Sequence, residues 1–448
     1  MITKKTAIAT YVINLENRQD RKKQVFTEFE NRKEFDIVVV KAKEHTIGAL
    51  GLWKTVQFIL TTLADQSLDY ILICEDDHQF TDTYSSDILF RSISEAQKNG
   101  ADVLMGGISW FNSGIQLRNG LAWIDQFTGA QFLILFRKFW NTVLYTHFSM
   151  TDNLDHTISM ITTKKFVITP FISIQKDYGY SDVTEKNNGE GKVAALFKSS
   201  KEGITIINKI SQHYQKLNND NLALTQDFDS VCIPVYAINL ARRPDRRLHL
   251  LEQFAGRSEF NVSFIDACEH EIGTYGLWLS IRKIVQIAIN NDDDVIIICE
   301  DDHQFTKEYS KEYLIRNIIE ANEQGVNYLS GGISNFRYAI KTAQNRYWVS
   351  SCLGAQFIIL FKSLFIKILE EPFDQTVIAD ILLPELTSQK MVLFPFISTQ
   401  KDFGYSDVTQ LHMEQQGIVN QLFDTSIATL QRIEAAYQQY EAVLLIHQ

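Results

Sequence analysis

Three consecutive acidic residues, Glu75-Asp76-Asp77, follow a short apolar run and are the first candidates for chemistry in this sequence. The run and the acids occur a second time, where the acids are Glu300-Asp301-Asp302. A short run rich in Ile and Val predicts a buried strand, and open α/β sheets bind ligands at the carboxyl ends of such strands. Clustered carboxylates at that edge suit a hard divalent cation that holds a phosphate. The alternative is that the acids only cap the next helix or lie in solvent.

A second polar cluster precedes each acidic motif, on the turn after the first predicted strand. It consists of Asn14 with Arg18-x-Asp20-Arg21 in the first half of the chain, and of Asn239 with Arg243-x-Asp245-Arg246 in the second half. Arg can bind phosphate through two parallel hydrogen bonds, and Asp can accept a hydrogen bond from a base or a ribose. We therefore predict that these residues bind a nucleotide. The alternative is a salt-bridge cluster at the start of a helix.

Both motifs belong to an internal repeat that covers almost the whole chain. Matched residues are separated by 225 positions, as for Asp77 and Asp302 (302 − 77) and for Gly129 and Gly354 (354 − 129). A period this long indicates two whole domains rather than a solenoid. Predicted strands alternate with predicted helices in each half, and after an irregular aromatic stretch Gly129–Phe136 predicts another buried strand. This pattern predicts an α/β protein with two tandem Rossmann-type domains, each with a mostly parallel sheet.

The repeat also predicts the domain boundaries. The first domain covers residues 1–184, and a polar, partly helical linker covers 185–230. The second domain covers residues 231–410, and a C-terminal helical extension covers 411–448.

Composition narrows the classes of function. The 448 residues carry a net charge of −11, which argues against a general surface for nucleic acid. No apolar run is long enough to span a bilayer, and no signal-peptide core precedes the first strand. Five cysteines without a Cys-x-x-Cys pair are typical of a reduced protein. We therefore expect a cytoplasmic protein without a transmembrane segment, for which peripheral contact with the inner face of the membrane stays open.

Both halves resemble glycosyltransferase family 25, which includes bacterial lipooligosaccharide galactosyltransferases and collagen galactosyltransferases. The motifs that carry the resemblance are Tyr11-Val12-Ile13-Asn14-Leu15 with the Arg motif, Ile73-Cys74-Glu75-Asp76-Asp77, and a closing segment with Pro170-Phe171-Ile172-Ser173 and Tyr180-Ser181-Asp182. The His that this family carries before its second helix is replaced by Val56 and Ile281. The resemblance implies two GT-A-like domains, a nucleotide-sugar donor such as UDP-galactose, a Mn²⁺ or Mg²⁺ ion, and inversion at the anomeric carbon.

The resemblance also implies roles for the polar residues. The expected metal ligands are Asp76, Asp77, Asp301 and Asp302. The residues expected to bind the nucleotide sugar are Asn14, Arg18, Asp20, Arg21, Glu75 and Gln131, with Asn239, Arg243, Asp245, Arg246, Glu300 and Gln356. The alternative for Gln131 and Gln356 is that they are polar groups satisfied within the sheet. His78 and His303, directly after the acids, are interpreted either as Mn²⁺ ligands or as packed, orienting residues.

An inverting transfer needs a base for the acceptor hydroxyl, and the candidates are Asp155 and Asp380. They match at the offset of 225 (380 − 155), in the predicted helix that follows the Gly-Ala-Gln-Phe strand. The alternative is a surface Asp in each half, and Asp182 with Asp407 is the second choice for the base.

The predicted function is a metal-dependent, inverting transfer of a hexose from a nucleotide sugar to a hydroxyl of a glycan or glycolipid acceptor. Synthesis of a surface polysaccharide or lipooligosaccharide is the expected setting. One alternative is that a single domain is catalytic and the other binds nucleotide sugar or glycan as a scaffold. A scaffold without any turnover is a further alternative. A metal-dependent phosphohydrolase is the last, although such enzymes usually have more metal ligands, including several His.

Overall fold

The chain forms two compact units in this computed structural model, which describes residues 7–179, 189, 191–218, 228, 230–376, 378–403 and 417–444. The first unit contains Met1–Lys209 with Ala436–Gln448, and the second contains Ile210–Ala435. The boundaries between the units therefore fall within two long helices, and not at the ends of the predicted linker.

The described part of the first unit contains twelve strands and the beginning of the long helix α6. The strands are β1 (Ile8–Asn14), β2 (Phe35–Lys41), β3 (Tyr70–Glu75), β4 (His78–Phe80), β5 (Val103–Met105), β6 (Trp110–Phe111), β7 (Gly114–Gln116), β8 (Leu121–Ile124), β9 (Phe127–Thr128), β10 (Phe132–Phe136), β11 (Lys165–Ile168) and β12 (Ser173–Gln175). The helices are α1 (Gln19–Phe29), α2 (Gly48–Phe58, continued by a π-helical turn, Ile59–Leu63), α3 (Ser86–Lys98), α4 (Arg137–Tyr145), α5 (Leu154–Met160) and α6 (Lys192–Asn218).

The second unit repeats this order of elements. Its strands are β13 (Ile233–Asn239), β14 (Phe260–Asp266), β15 (Val295–Glu300), β16 (His303–Phe305), β17 (Tyr328–Ser330), β18 (Asn335–Phe336), β19 (Ala339–Ala343), β20 (Arg346–Val349), β21 (Cys352–Leu353), β22 (Phe357–Phe361), β23 (Lys390–Leu393) and β24 (Ser398–Gln400). Its helices are α7 (Pro244–Phe254), α8 (Gly273–Asn290), α9 (Lys311–Glu323), α10 (Lys362–Glu370), α11 (Ala379–Glu385) and α12 (Ile418–Gln439).

Each unit is built on an 8-stranded sheet, and the two sheets have the same strand order, as the repeat predicts. The order is β2-β1-β3-β10-β5-β11-β8-β7 in the first unit and β14-β13-β15-β22-β17-β23-β20-β19 in the second. Every strand of the first sheet except β8 and β10 runs in the same direction. The expected α/β class with mostly parallel sheets is therefore confirmed, with two antiparallel strands added in each sheet.

The central strands are covered on both faces, which explains their unbroken apolar sequences. Ile71, Leu72 and Ile73 of β3 are at most 1% exposed, and all five residues of β10 are buried. A strand buried on both faces reads as a continuous hydrophobic run whichever way it points. The sequence therefore predicts that β10 is a buried strand, but not that it runs antiparallel between β3 and β5.

The irregular aromatic stretch of the sequence forms four short strands, β6 to β9. Strands β7 and β8 pair with each other and extend the main sheet beyond β11, while β6 pairs with β9 in a separate ribbon. Strands of two to four residues are too short to show an alternating pattern, so the sequence does not predict them.

The two long helices α6 and α12 are counterparts of each other. Both bury residues at helical spacing on one face, as expected for an amphipathic helix on a core. The buried positions of α6 have buried counterparts 226 residues later (423 − 197). They are Phe197, Ser200, Ile204, Ile207 and Tyr214 in α6, with Phe423, Ser426, Leu430, Ile433 and Tyr440. The segments predicted as a linker and as a C-terminal extension thus contain one repeated element.

No helix within the described ranges is long and apolar enough to span a membrane. All five cysteines are free, and Cys74 and Cys299 are buried in their strands.

A close backbone approach holds β12 against the end of β5. Ser173 N donates to the carbonyl of Gly106 at 3.1 Å, and a Cβ added at Gly107 would lie 2.0 Å from the carbonyl oxygen of Ser173. We expect Gly107→Ala to lower the free energy of unfolding by about 1–3 kcal/mol, because the backbone must shift. Chemical denaturation of the full chain measures this.

The matched control is Gly100→Asn. Gly100 has a φ of +69° and only the end of Lys138 within 4.0 Å, so the position needs a left-handed conformation but has space. Asn adopts that conformation readily, and the expected loss is less than about 1 kcal/mol. Equal losses for Gly107→Ala and Gly100→Asn would contradict the steric explanation.

Candidate functional site

The three acids lie at the carboxyl edge of the first sheet. Glu75 ends β3, and Asp76 and Asp77 form the turn that leads into β4. Strands β1 and β3 are parallel neighbours with Ile13 opposite Glu75, so this turn lies beside the Arg motif that follows β1. A cavity of about 670 Å³ at this edge includes all three acids in its wall. Its counterpart in the second unit measures about 690 Å³, and ligand sites usually have ~300–1,000 Å³.

Asp76 is a buried carboxylate whose two oxygens both have protein partners. Asn14 Nδ2 donates to Oδ2 at 2.8 Å, and Arg21 Nη1 donates to Oδ1 at 3.4 Å. Asn14 Nδ2 also donates to the carbonyl of Arg18 at 3.2 Å, which fixes the turn between β1 and α1. Asp76 therefore ties the acidic turn to β1 and holds the Arg21 guanidinium in place.

Asp77 has one carboxylate oxygen that lacks a protein donor. Lys176 N donates to its backbone carbonyl at 2.7 Å, and Gln175 Nε2 donates to Oδ2 at 3.3 Å, so β12 positions this residue. Arg21 Nη1 lies 4.0 Å from Oδ2, while Oδ1 is buried without a hydrogen-bond partner. Burial and the charge of Asp76 raise the pKa of Asp77 to about 7. A buried acceptor without a partner is costly, and a cation at this position would satisfy it.

Glu75 is surrounded by other carboxylates. Burial raises its pKa well above the usual range, and the charges of Asp77, Asp155 and Asp76 raise it further. A protonated carboxyl can donate one hydrogen bond and accept others. Glu75 lines the cavity and could both donate and accept a hydrogen bond there, and its expected contact with the nucleotide sugar stays a prediction.

Asp155 lies in the first turn of α5 and forms part of the same cavity wall. Gly129 N donates to its Oδ2 at 2.7 Å, and His156 N donates to its Oδ1 at 2.8 Å. Burial raises the pKa of Asp155, and these two hydrogen bonds oppose the rise because they stabilise the carboxylate.

Asp380, the counterpart of Asp155, has a different environment. It lies in the first turn of α11 and in the wall of the second cavity. Its Oδ1 is buried without a hydrogen-bond partner, and burial raises its pKa to about 6. The two candidate bases thus occupy equivalent positions in the two units, but they differ in their hydrogen bonds.

The other predicted residues of the first unit are divided between the cavity and its surroundings. Arg18 and Arg21 line the cavity, whereas Asp20 is exposed and is not in its wall. Gln131 is fully buried, and its Nε2 donates to the carbonyl of Gly107 at 3.0 Å and faces Ser173 Oγ at 3.4 Å. Gln131 thus lies behind the cavity wall and is satisfied only in part, because its Oε1 is buried without a hydrogen-bond partner.

The second unit reproduces these contacts. The distances are 3.0 Å for Asn239 to Asp301, 3.0 Å for Arg246 to Asp301, 3.4 Å for Gln400 to Asp302 and 2.7 Å from Lys401 N to the Asp302 carbonyl. Arg243 and Glu300 line the cavity, Asp245 is exposed, and Gln356 is buried with Nε2 2.8 Å from the carbonyl of Gly332. Asp302 has a pKa raised to about 7, with burial as the main cause, and an unpartnered Oδ1.

His78 lies in the core behind the acids. It is fully buried, its Nδ1 is 2.8 Å from Ser173 Oγ, and its ring packs against Phe80 and Phe132 at centroid distances of 4.3 and 5.3 Å. Burial lowers its pKa to about 3. Of the two interpretations of this His, the structure supports the packed, orienting residue.

Several cavity residues were not proposed from the sequence. Gln175 and Lys176 line the first cavity, and Gln400 and Lys401 line the second. A signal was present, since Gln-Lys-Asp recurs at the offset of 225 (400 − 175). This signal is hard to recognise in the sequence, because Gln175 and Gln400 end short antiparallel strands and not the parallel strands at which ligand sites are expected. The second-choice bases, Asp182 and Asp407, and the segment Tyr180-Ser181-Asp182 lie outside the described residues.

Comparisons with known proteins find only weak structural similarity. No family model and no curated protein matches the sequence. Among solved structures, A197 from STIV is 10% identical, covering 38% of this chain and 86% of that chain with a TM-score of 0.27. Apo UDP-glucose pyrophosphorylase is 11% identical, covering 44% of this chain and 82% of that chain with a TM-score of 0.27. A UDP-glucose pyrophosphorylase in complex with UDP-glucose is 10% identical, covering 44% of this chain and 81% of that chain with a TM-score of 0.27. Similarity this weak carries no argument about what this chain binds or does.

We expect His78 to stay neutral over the range of about pH 5–8, in which an unperturbed His titrates. Its pKa of about 3 lies below the usual value of ~6.5, so the unfolded chain binds a proton that the folded chain does not. The stability from burying this ring is therefore complete above about pH 6.5 and is lost as the pH falls towards 3.

NMR of ¹⁵N-labelled imidazoles measures this directly, and the control is the same chain in urea, where the ring regains its ordinary titration. Protonation of His78 in the folded chain above pH 5 would contradict the assignment.

Proposed function

We propose that each unit is a metal-dependent, inverting glycosyltransferase of the family 25 type. One observation carries the proposal: in both units a carboxylate with an unpartnered oxygen shares a cavity with fixed cationic side chains and with a separate Asp on another helix. Transfer from a nucleotide sugar needs all three: a carboxylate to bind the metal ion, cations to bind the diphosphate, and a base to accept the proton of the acceptor hydroxyl. The sequence resemblance favours a UDP-hexose such as UDP-galactose as donor, and a surface glycan or lipooligosaccharide as acceptor.

The diphosphate of the donor is assigned to the cationic side of the cavity. Arg18, Arg21 and Lys176 line that side. Arg21 is held by Asp76 and lies 4.3 Å from the centre of the Tyr178 ring, so its orientation is fixed. Cations that are already oriented can stabilise charge on a leaving diphosphate without reorganising.

The carboxylates fit a divalent cation. Mg²⁺ prefers oxygen ligands and usually takes one or two protein carboxylates, with substrate phosphates and water as its other ligands. Asp77 offers a free oxygen, whereas both oxygens of Asp76 have protein donors. Within the described ranges no group of three or more His, Cys, Asp or Glu could hold an ion, so a site here would need the donor phosphates. When bound, such an ion would stabilise the charge of the leaving diphosphate.

The acceptor proton is assigned to Asp155 and Asp380. Each lies in a helix, α5 or α11, and not in the turn that carries Asp76 and Asp77 or its counterpart. Each also lines the cavity that contains the three acids of its unit. A base must be deprotonated to act, and a pKa near the working pH makes it most effective. Burial raises the pKa of both carboxyls in that direction.

A second candidate is that only the second unit transfers sugar and the first binds nucleotide sugar or glycan. Both oxygens of Asp155 accept backbone hydrogen bonds, whereas Asp380 Oδ1 has no partner. Hydrogen bonds to the ionised form make a carboxylate a weaker base. This difference favours Asp380 as the stronger base of the two.

We expect Asp77→Asn and Asp302→Asn each to remove one of two metal-dependent nucleotide sites. Asn keeps the shape of the side chain but removes the charge that would hold the ion. Isothermal titration calorimetry with UDP and Mn²⁺ should therefore show about two sites in the parent chain, one in each variant and none in the double variant.

The matched controls are Asp20→Asn and Asp245→Asn, which remove exposed acids of the neighbouring motif. They should leave the number of sites unchanged. Unchanged binding in both Asp77→Asn and Asp302→Asn would refute the metal assignment, and lost binding in the controls would restore the role that the sequence predicts for Asp20 and Asp245.

We expect Asp380→Asn and Asp155→Asn to lower transfer while UDP binding is retained. Loss of a general base typically costs roughly 10²-fold or more. In a chain with Asp77→Asn, which leaves only the second site, transfer should rise with pH through about 6 and then level off, because Asp380 acts deprotonated and its pKa is raised to about 6. Parent-level transfer by the double variant would show that neither Asp is the base.

A further inference from the structure

The two cavities differ in polarity around the candidate bases. In the first unit, three positions near Asp155 are polar, and at the offset of 225 (378 − 153) each has an apolar residue in the second unit. The pairs are Thr128 with Leu353, Asn153 with Ile378, and His156 with Ile381. The change has one direction, from polar to apolar, at all three positions.

Ile378 and Ile381 are exposed next to the base. They are 47% and 45% exposed, and both belong to the wall of the second cavity with Asp380 between them. An exposed apolar residue alone is ordinary, but a contiguous apolar surface marks a binding site. Here Leu353 continues the surface on one side of Asp380.

Helix α12 extends this apolar surface. Its residues Ile418, Val419 and Leu422 line the same cavity. At the offset of 226, Val193 and Leu196 of α6 stand in the places of Val419 and Leu422 and line the first cavity as well. Lys192 stands in the place of Ile418 (418 − 192) and is not in the cavity wall. The long helix is therefore apolar in both cavities, and the two cavities differ at Ile418 and at the three positions near the base.

The environment of Asp380 agrees with this surface. Its Oδ1 is buried without a partner and lies in the cavity wall, so an acceptor hydroxyl would be its natural donor. An apolar group attached near that hydroxyl would cover Ile378 and Ile381 and exclude water from the carboxylate.

We propose that the second unit takes a glycolipid-type acceptor, whose alkyl chain lies against Leu353, Ile378, Ile381 and the start of α12. The first unit, with Thr128, Asn153 and His156 at the matching positions, takes an acceptor that is polar there. The inference rests on the proposed function, because it names the acceptor class of the same site. It also makes the two units non-equivalent in substrate while their donor sides stay alike.

The test compares n-hexyl and methyl β-D-galactopyranoside as probes for the full chain, with dissociation constants from NMR titration below the micelle concentration of the hexyl compound. Each buried CH₂ group is worth about a factor of four, so burial of two or more predicts about 10-fold tighter binding of the hexyl glycoside. Ile378→Asn with Ile381→His, which installs the residues of the first unit, should abolish this preference. Both positions are exposed, so little stability should be lost, and thermal unfolding checks this.

The reciprocal variant, Asn153→Ile with His156→Ile, is the matched control and should add a second site that prefers the hexyl glycoside. The proposal is overturned if the parent binds both glycosides equally or neither, or if the preference survives in Ile378→Asn with Ile381→His. Failure of the proposed function is a separate result, since it would appear as the absence of metal-dependent UDP binding while the alkyl preference remained.

Discussion

A buried carboxylate with two protein donors organises each site. Asp76 accepts from Asn14 at the end of β1 and from Arg21 in α1, and Asp301 does the same in the second unit. Breaking a buried pair of this kind usually costs ~3–5 kcal/mol, because one charge stays buried without a partner. The turn after β3 and the turn after β1 are therefore held together, and the neighbouring Asp77 has one oxygen without a protein donor.

The same constraint separates the roles of adjacent acids. Glu75, Asp76 and Asp77 are consecutive, yet their surroundings differ. Burial among other carboxylates raises the pKa of Glu75 well above its usual range, and Asp77 has a pKa of about 7. Groups whose environments move their pKa values apart can carry out different tasks at one pH. The three consecutive carboxyls therefore differ in protonation and in hydrogen-bond capacity, although they belong to one motif.

The two units of the repeat share the contacts around the acids and the Arg residues, but they differ around Asp155 and Asp380. The contacts that hold the acids and the Arg residues recur at similar distances in both units, whereas three positions near Asp155 are polar and their counterparts near Asp380 are apolar. The first set of contacts holds a buried charge, so few replacements are tolerated there. Exposed positions at the cavity edge carry no such constraint, and substitutions there usually cost little stability.

The sequence by itself determined the α/β class, the two-fold repeat, the strands β3 and β15 and the position of the acids at their carboxyl ends. These features depend on hydrophobic period and on chain direction, which are local. Tertiary structure decided that β10 runs antiparallel between β3 and β5, since an apolar run buried on both faces reads the same in either direction. It also decided that Arg21 faces the cavity while Asp20 faces solvent, that His78 packs in the core, and that Asp76 rather than Asp77 is satisfied by the protein. Adjacent residues of one motif differ in these ways because each contacts different partners that are distant in sequence. Asn14, for example, donates to Asp76, whereas Gln175 donates to Asp77.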